Sequence, residues 1–489
     1  MPPFLARPRS TLIVPHQIWM PRLIMERPLK LLNKNFVLLW QGQVIGLLGT
    51  QAQSIAMAFW IKHTFDSATL MGVLPMLAAL PAVLLSPIGG AAADRYSRHK
   101  IIVFSNAVRG LLLLVLAGLM LLLPEQTGLG LGVLFTVSIL LSAISSFFIP
   151  AITAVLPDLV PANQVARGNM LIQMATQGAS LLGQGIGGVL FRLLGMPMVA
   201  ALNGLGFVFA AISQCFITIP QHLPVKSADE QSRVQQFRKD IRDGLSYVWR
   251  NAGLKWMVVT STLINFFAAG VLTLAPLYVE DFLKVSADWA GYLAATFGVG
   301  TVIGFVAAGA LQIRGEWRAF ATIMFIFLNA AGISLLGVLV SPQAALVIVF
   351  CCGVAEGFIM ISISTIMQVT TPSEIRGRLF GLLGTLSGCM APLGMGLSGI
   401  VTDLLHKNVP LVYLFSGILI AVSSLPMALN AETRNFLAWE APEIPAPTQP
   451  LPPRKRRKKA ARKKAALLPL IPLLALLSAL FLSSVNPQG

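Results

Sequence analysis

Long apolar stretches recur along most of the chain, and they restrict its fold more than any other feature. Between residues 36 and 429 there are twelve, each of at least 21 residues, and mostly short polar connections separate them. Each is long enough to cross the roughly 30 Å hydrocarbon core of a bilayer as an α-helix. We therefore predict an all-α membrane protein with twelve spanning helices, at about 36–62, 68–93, 101–123, 130–156, 169–191, 197–219, 253–279, 287–312, 317–340, 343–369, 377–404 and 409–429.

The distribution of charge predicts the orientation of these helices. Hydrophobic residues make up 55% of the chain and charged residues only 11%, and the net charge is +17. When the twelve helices are threaded in order, all but four of the 36 Lys and Arg residues fall on the side of the N-terminus; the exceptions are Lys62, Arg192, Lys284 and Lys407. This positive-inside pattern predicts a multi-pass protein of the inner or plasma membrane with a cytoplasmic N-terminus, and argues against a nucleic-acid partner.

The longest polar connection in the bundle divides the helices into two sets of six. Pro, an acidic residue and Arg-Gly follow the fourth helix at 157–168, and the same order follows the tenth at 372–377. This echo predicts two related halves. The predicted segments are an N-terminal cytoplasmic segment (1–35), a first half (36–219), a cytoplasmic linker with an amphipathic helix (220–252), a second half (253–430), a Pro-rich and polybasic tail (431–464) and a C-terminal hydrophobic segment (465–485).

The tail combines three compositions. The Pro-rich stretch 432–453 predicts an extended tether, and the basic run 454–464 is expected to contact anionic lipid headgroups. The hydrophobic segment that follows either crosses the membrane or inserts shallowly, because Pro469 and Pro472 lie near its start. At the other end, Met1, Met20 and Met25 are alternative starts.

A short charged turn joins the second and third helices. It contains Gly90, Asp94, Arg95, Arg98 and Lys100. Small residues at its entry allow close approach to a neighbouring helix, and Asp94 is placed to cap a helix end or to pair with a nearby arginine.

This turn carries a resemblance to a known family. The pattern Gly90-x-x-x-Asp94-Arg95-x-x-Arg98-x-Lys100 resembles the signature of the major facilitator superfamily, with Ser97 where glycine is usual. Other phrases resemble its branch of macrolide-efflux and enterobactin-exporter-like drug:proton antiporters; they are Asn35-Phe36-x-x-Leu39-Trp40-x-Gly42-Gln43, Leu156-Pro157-Asp158-Leu159-Val160-Pro161, Asn265-Phe266-Phe267, Ala275-Pro276-Leu277-Tyr278-Val279 and Arg376-Gly377-Arg378.

The resemblance implies a gate and moving contacts. Asp94 would act as a latch near the start of the eleventh helix, around 373–376. The fifth helix carries Gly183-Gln184-Gly185-Ile186-Gly187-Gly188, with Gln184 where the antiporter motif usually has proline. We expect glycines to serve as hinge or packing positions, either sliding or static; they are Gly183, Gly187, Gly188, Gly388 and Gly394.

Two ionisable residues lie deep within predicted spanning helices. Glu356 is near the middle of the tenth helix with no cation within a helical turn, so it is the candidate for proton coupling; a hydrogen bond to a neighbouring helix is the structural alternative. Arg109 is two to three turns into the third helix, and we expect its side chain to reach the cytoplasmic face.

The resemblance also implies a central cavity lined by the first, fourth, seventh and tenth helices. The candidate substrate contacts there are Gln43, Gln51, Ser142, Ser145, Phe148, Asn265, Phe266, Met360 and Ser364. Amides, hydroxyls, rings and a thioether suit a bulky amphipathic solute. The alternative for each of these residues is helix packing or a hydrogen bond between helices.

No enzyme signature is present in the sequence. We find no phosphate-binding loop, nucleophile elbow or metal-ligand spacing, and the four cysteines lie within apolar segments. We therefore predict no cofactor or metal and a monomeric secondary transporter that exports an amphipathic small molecule in exchange for protons. The alternatives are a lipid or lysophospholipid flippase on the same fold and a membrane scaffold or sensor that does not transport.

Overall fold

The computed structural model describes residues 32–161, 164–218, 242, 245–311, 313–371 and 373–439, with the side chains of residues 166, 373–378, 381 and 387 left aside. Within these ranges the chain is a bundle of helices. Their bounds are α1 Lys34–Phe65, α2 Ala68–Arg95, α3 Arg98–Leu122, α4 Thr127–Leu159, α5 Val165–Cys215, α6 Ala252–Thr273, α7 Ala275–Leu277, α8 Asp288–Leu311, α9 Gly315–Leu336, α10 Pro342–Thr370, α11 Ser373–Leu404, α12 Val409–Leu429 and α13 Ala431–Ala438, with a π-helical turn at Tyr278–Phe282.

The prediction of an all-α membrane protein is confirmed. Eleven of the described helices are long and apolar enough to cross a membrane. One of them, α5, is 51 residues long and contains a break at Gly195, where φ is +73° and ψ is 166°. Glycine adopts this backbone conformation without the steric cost that a Cβ would impose. The break separates the predicted fifth and sixth helices, so α5 counts as two spans and the total is twelve.

Polar residues before the spans explain where several helices begin. The side chains of Asn33, Ser67 and Ser97 accept a backbone N–H in the first turn of α1, α2 and α3. Asn251 and Ser341 do the same for α6 and α10. Such caps satisfy one of the amides that the first turn leaves without a helical partner.

The seventh predicted helix differs from the sequence prediction at its end. The prediction extends to residue 279, but α6 ends at Thr273 and the chain continues through α7 into the π-helical turn. Pro276 lacks the amide that a continuous helix requires, which accounts for the interruption. The turn that follows places Glu280 and Asp281 together at one end of the bundle.

The start of the tail also differs from the prediction. Residues 431–438 form α13 rather than part of an extended tether, with Leu437 fully buried. Arg318 in α9 donates from Nε to the Leu437 carbonyl at 3.1 Å, and Gly253 in α6 allows Phe436 to approach closely. The predicted tail from residue 440 onward, most of the amphipathic linker helix and the segment before residue 32 lie outside the described residues.

Buried amide pairs connect helices inside the first half. Asn203 Nδ2 donates to Gln53 Oε1 at 2.6 Å, which joins the second arm of α5 to α1. Asn106 Nδ2 in α3 donates to Gln214 Oε1 in the same arm at 2.7 Å. A buried amide without a hydrogen-bond partner costs free energy. These two pairs therefore fix the positions of α1 and α3 along the second arm of α5.

The bundle has two ends. Alternation of the spans brings the start of α1, the turn between α2 and α3 and helix α13 to one end, which we call the Asp94 face. The end of α1, the start of α2 and the π-helical turn lie at the other, which we call the Lys62 face. Contacts agree with this division, since Asn33 Nδ2 donates to the Leu159 carbonyl at the first and Lys62 Nζ contacts Glu280 at the second.

Candidate functional site

Glycines bring α2 of the first half against α11 of the second near the Lys62 face. A Cβ added at Gly72 would lie 2.1 Å from the Met395 carbonyl oxygen, and one at Gly399 would lie 2.3 Å from the carbonyl oxygen of Ala68. Backbone therefore meets backbone, and no larger residue fits without separating the helices. Gly396 similarly accommodates the Met76 side chain of α2.

A second seam joins α5 to α8, also near the Lys62 face. A Cβ at Gly291 in α8 would lie 2.0 Å from the Gly185 carbonyl oxygen, and one at Gly188 would lie 2.5 Å from the carbonyl oxygen of Ala287. The contact ends where Gly298 receives the Leu181 side chain. The two halves thus meet along two glycine seams.

Toward the Asp94 face the described glycines on the same helix surfaces are less crowded. Gly90 lies about five turns along α2 from Gly72, on the same side of the helix, and no described atom lies within 4 Å of its Cβ position. Likewise, Gly388 lies about three turns from Gly399 on the same side of α11, and no described atom lies within 4 Å of its Cβ position. Gly178 in α5 also has no described atom within that distance. Among the described residues, these three Cβ positions on the Asp94 side of the seams are therefore uncrowded, and we call the space beside them the gap.

Each of the four helices that form the seams, α2, α5, α8 and α11, also packs against a helix of its own half. Gly89 in α2 packs on the Ser146 carbonyl of α4, and Gly183 in α5 packs on the Leu48 carbonyl of α1. In the second half, Gly300 in α8 packs on the Phe350 carbonyl of α10, and Gly394 in α11 packs on that of Phe266 in α6. The gap between the seams is therefore flanked by α1, α4, α6 and α10, the helices that the resemblance implies.

Buried Arg109 engages two of the candidate cavity residues on α4. Its Nη2 donates to Ser145 Oγ at 2.9 Å, and its guanidinium carbon lies 4.1 Å from the ring centre of Phe148. Phe207 from the second arm of α5 lies on the guanidinium as well, at 5.6 Å. The expectation that Arg109 reaches the membrane face is wrong, because aromatic faces and a hydroxyl hold the cation at only 6% exposure inside the first half.

The remaining candidates on α1 and α4 are half-buried. Gln43 Nε2 is a buried amide nitrogen without a hydrogen-bond partner among the described residues. Gln51 lies on the surface of α1 that meets Gly183. The carbonyl of Ser142 accepts from Ser146 Oγ at 3.2 Å within α4. The Gln43 amide nitrogen therefore has hydrogen-bonding capacity left to offer a ligand.

On α6 and α10 the candidates range from half-buried to exposed. Asn265 is exposed and donates from Nδ2 to the Ser261 carbonyl at 3.0 Å, while the ring of Phe266 stacks edge-on with Phe267. Met360 is 51% exposed, and Ser364 Oγ accepts from Gln368 at 3.1 Å. The amide of Asn265 and the thioether of Met360 are therefore accessible from outside the packed helices.

Glu356 contacts the neighbouring helix of its own half. Its Oε2 accepts from Asn329 Nδ2 of α9 at 3.3 Å, and the same amide lies 3.5 Å from the Cys352 carbonyl. No Lys or Arg side chain in the described ranges forms an ion pair with it. A carboxyl group in this environment has an amide donor and no counter-charge.

The charged turn is anchored within the first half. Arg98 Nη1 donates to Asp158 Oδ2 at 2.8 Å and to the Ala154 carbonyl at 3.0 Å, so it fixes the turn to the end of α4. His99 Nε2 lies 2.9 Å from the Gln214 carbonyl. Asp94, Arg95 and Lys100 are exposed at the end of the bundle. The predicted Asp94 contact at 373–376 involves side chains outside the described set.

The predicted glycines divide between two kinds of contact. Gly183 and Gly187 pack on α1, and Gly394 packs on α6, so all three lie inside a half. Gly188 lies at the seam with α8, and Gly388 faces the gap. Sequence reasoning missed the seam glycines Gly72, Gly291 and Gly399 as a set; their only sequence signal is small residues on one side of a spanning helix.

A bundle of twelve spanning helices in two halves is an architecture found among polytopic membrane transporters. Comparison with known families agrees. Residues 39–394 match the Major Facilitator Superfamily, and the chain belongs to it. It is a multi-pass membrane transporter of small molecules, not an enzyme.

Two relatives and one solved structure resemble the chain over most of its length. Macrolide efflux protein A of Streptococcus pyogenes is 25% identical over 407 residues, which cover 82% of this chain and 97% of that protein. The multidrug efflux pump Tap of Mycolicibacterium fortuitum is 24% identical over 401 residues, covering 78% and 90%. A crystal structure of a nucleoside transporter superposes with a TM-score of 0.62 at 12% identity, covering 81% of this chain and all of that one. The predicted resemblance to macrolide exporters is confirmed.

Proposed function

We propose that this protein exports an amphipathic small molecule of the macrolide or multidrug class in exchange for protons, by alternating access. The gap beside α1, α4, α6 and α10 carries the proposal, because the described glycines are tightly packed at the Lys62 face and uncrowded toward the Asp94 face, as a cavity open at one face requires. The names of relatives that cover most of the chain favour efflux of macrolides and other drugs.

The positive-inside pattern assigns the Asp94 face to the cytoplasm. On this assignment the gap faces the compartment from which an exporter takes its substrate. The exposed amide of Asn265 and thioether of Met360, together with the spare amide nitrogen of Gln43, suit the ring, sugar and ester groups of a bulky amphipathic solute better than they suit a highly charged one.

Glu356 is the residue we assign to proton coupling. A carboxyl group within a spanning helix is costly when ionised, and here an amide is its described partner. Protonation of the Glu356 carboxyl during the cycle therefore removes most of this free-energy cost, and release of the proton restores it. No phosphate-binding loop appears in the sequence, so an ion gradient is the energy source that we propose.

A dye-based proton assay tests this function. Purified protein is reconstituted into vesicles with a pH dye inside, a pH gradient is imposed, and a panel of macrolides is added. We expect substrate-evoked proton movement in the wild type, its loss in Glu356→Gln, and its retention in the control Glu125→Gln, which changes an exposed acid in the loop between α3 and α4. Equal proton movement in Glu356→Gln and wild type would refute the coupling site.

A lysophospholipid flippase is the second candidate. It is favoured by the uncrowded Cβ positions of Gly90 in α2 and Gly388 in α11, because a lipid would need a lateral route between these two helices. The same vesicles carrying a fluorescent lysolipid distinguish the two functions. Lysolipid movement without any macrolide-evoked proton signal would support the flippase, and no movement of either would support a scaffold or sensor role.

A further inference from the structure

Three of the four cations that break the positive-inside pattern pair with acids of the opposite half. Lys62 Nζ lies 2.6 Å from Glu280 Oε2 and 2.7 Å from Asp281 Oδ1, and its side chain is only 8% exposed. His63 Nε2 contacts the same Glu280 carboxylate at 2.8 Å. These contacts join the end of α1 to the π-helical turn, across the boundary between the halves.

Two more ion pairs cross the same boundary at the same face. Arg192 Nη1 in α5 lies 2.9 Å from Asp288 Oδ2 at the start of α8, and the Asp288 side chain is 8% exposed. Lys407, between α11 and α12, pairs with Asp66, between α1 and α2. Cations on this face are otherwise rare, so pairing of three out of four across the halves indicates that they are placed there for those partners.

Asp403 adds a contact of a different kind. Located in the last turn of α11, it accepts from the backbone N–H groups of Ala68 at 3.0 Å and Thr69 at 2.8 Å and from Ser67 Oγ at 3.0 Å. A carboxylate of the second half therefore caps the first turn of α2 in the first half. The exposed amides and partial positive charge at a helix start stabilise an anion in this position.

The antiparallel helices α2 and α11 thus each carry an aspartate in the last turn. Asp403 of α11 reaches the start of α2 at the Lys62 face, while Asp94 of α2 lies at the Asp94 face, where α11 begins. The two positions are at opposite ends of the same helix pair. A rocking motion that separates the helices at one end brings them together at the other, so opening of the Lys62 face would break the contact that Asp403 makes.

We propose that Asp403, together with the Lys62–Glu280–Asp281 cluster and the Lys407–Asp66 pair, forms the gate lock of the Lys62 face and sets the population of the state closed there. The lock rests on the proposed function, because alternating access requires the halves to part at this face for release. Every bond in it joins the two halves, so the bonds break together when the face opens. Each carboxylate is partly exposed and regains water on opening, which keeps the lock reversible.

Alkylation of a reporter cysteine tests the lock. Met76→Cys places a thiol in the α2–α11 seam, where the native side chain meets Gly396, in full-length protein whose four native cysteines are replaced by alanine. A membrane-impermeant maleimide is applied from the Lys62 side. We expect Asp403→Asn and Lys62→Gln each to raise the alkylation rate severalfold, and the two together to raise it more than tenfold.

Controls separate a lock from general loosening. Glu125→Gln removes an exposed acid at the same face and should leave the rate unchanged. Asp66→Lys should raise the rate, and adding Lys407→Asp should restore it, which a misfolded protein would not do. Unchanged rates in Asp403→Asn and Lys62→Gln, or no restoration by the charge exchange, would overturn the proposal. Because alkylation needs no substrate, altered rates without macrolide-evoked proton movement would leave the lock standing and reject the proposed export.

Discussion

Gly72→Ala probes the closed seam with a single methyl group. The added Cβ would lie 2.1 Å from the Met395 carbonyl oxygen, whereas ordinary contact begins at 3.4 Å. The obstacle is backbone, so no side chain can rotate away, and α2 and α11 must separate by about 1.3 Å. Overpacking of this kind costs about 1–3 kcal/mol. If the cost falls on the closed state alone, the ratio of open to closed forms at the Lys62 face rises about 5- to 150-fold.

Gly90→Ala is the matched control on the same side of α2. No described atom lies within 4 Å of its Cβ position, so alanine fits the observed state. Alanine is also favoured over glycine in a helix by about 1 kcal/mol. We expect this change to leave the closed seam intact and to disfavour only the alternate state, in which α2 and α11 come together at the Asp94 face.

Pulsed electron paramagnetic resonance measures both effects. Spin labels are attached through Glu125→Cys and Val338→Cys, exposed positions of the two halves at the Lys62 face, after the native cysteines are replaced by alanine. We expect a longer-distance population to grow in Gly72→Ala and to be unchanged or smaller in Gly90→Ala. Identical distance distributions in the Gly72→Ala protein and the wild type, at equal thermal stability, would refute the account of the seam.

Thermal unfolding in detergent measures three further predictions. Phe148→Leu should lower the stability of the first half by about 1–2 kcal/mol through loss of the ring under Arg109, and the same change should cost less in an Arg109→Met background; additive effects would contradict the cation–π contact. Asn203→Leu leaves buried Gln53 Oε1 without its donor and should cost about 1–3 kcal/mol, part of which Gln53→Leu recovers; no recovery would show that packing, not the amide pair, is responsible. Arg98→Lys should cost about 1 kcal/mol, because a single ammonium group cannot keep the bond that Arg98 Nε makes to the Ala93 carbonyl at 3.3 Å together with the Nη1 bonds to α4; an unchanged melting temperature would contradict this.

Much of the fold follows from the sequence because a bilayer permits few solutions. An apolar stretch long enough to cross the membrane must satisfy its backbone internally, so the twelve stretches are helices with nearly the predicted bounds. Departures occur where a local contact overrides composition. Pro276 interrupts the seventh helix, and residues 431–438 fold because Leu437 and the Arg318 bond anchor them to the bundle.

The candidate site was less predictable because it depends on which side of each helix faces which neighbour. Composition does not distinguish Gly72, which meets α11, from Gly183, which meets α1. Arg109 was misplaced because the two rings and the hydroxyl that hold it come from two other helices, α4 and the second arm of α5. The distribution of Lys and Arg between the two membrane faces was more informative about the inter-half contacts. Lys62 and Lys407 are exceptions to the positive-inside pattern, and both have acidic partners in the opposite half.

Uphill transport tests the central claim, export of an amphipathic solute driven by a proton gradient, most directly. Vesicles in which the Asp94 face points outward are given an acidic lumen and radiolabelled macrolide on both sides. We predict that macrolide accumulates inside above its external concentration, that the accumulation collapses when an ionophore dissipates the gradient, and that Glu356→Gln vesicles only equilibrate. Equal macrolide concentrations on both sides in the wild type, with or without the gradient, would contradict the account.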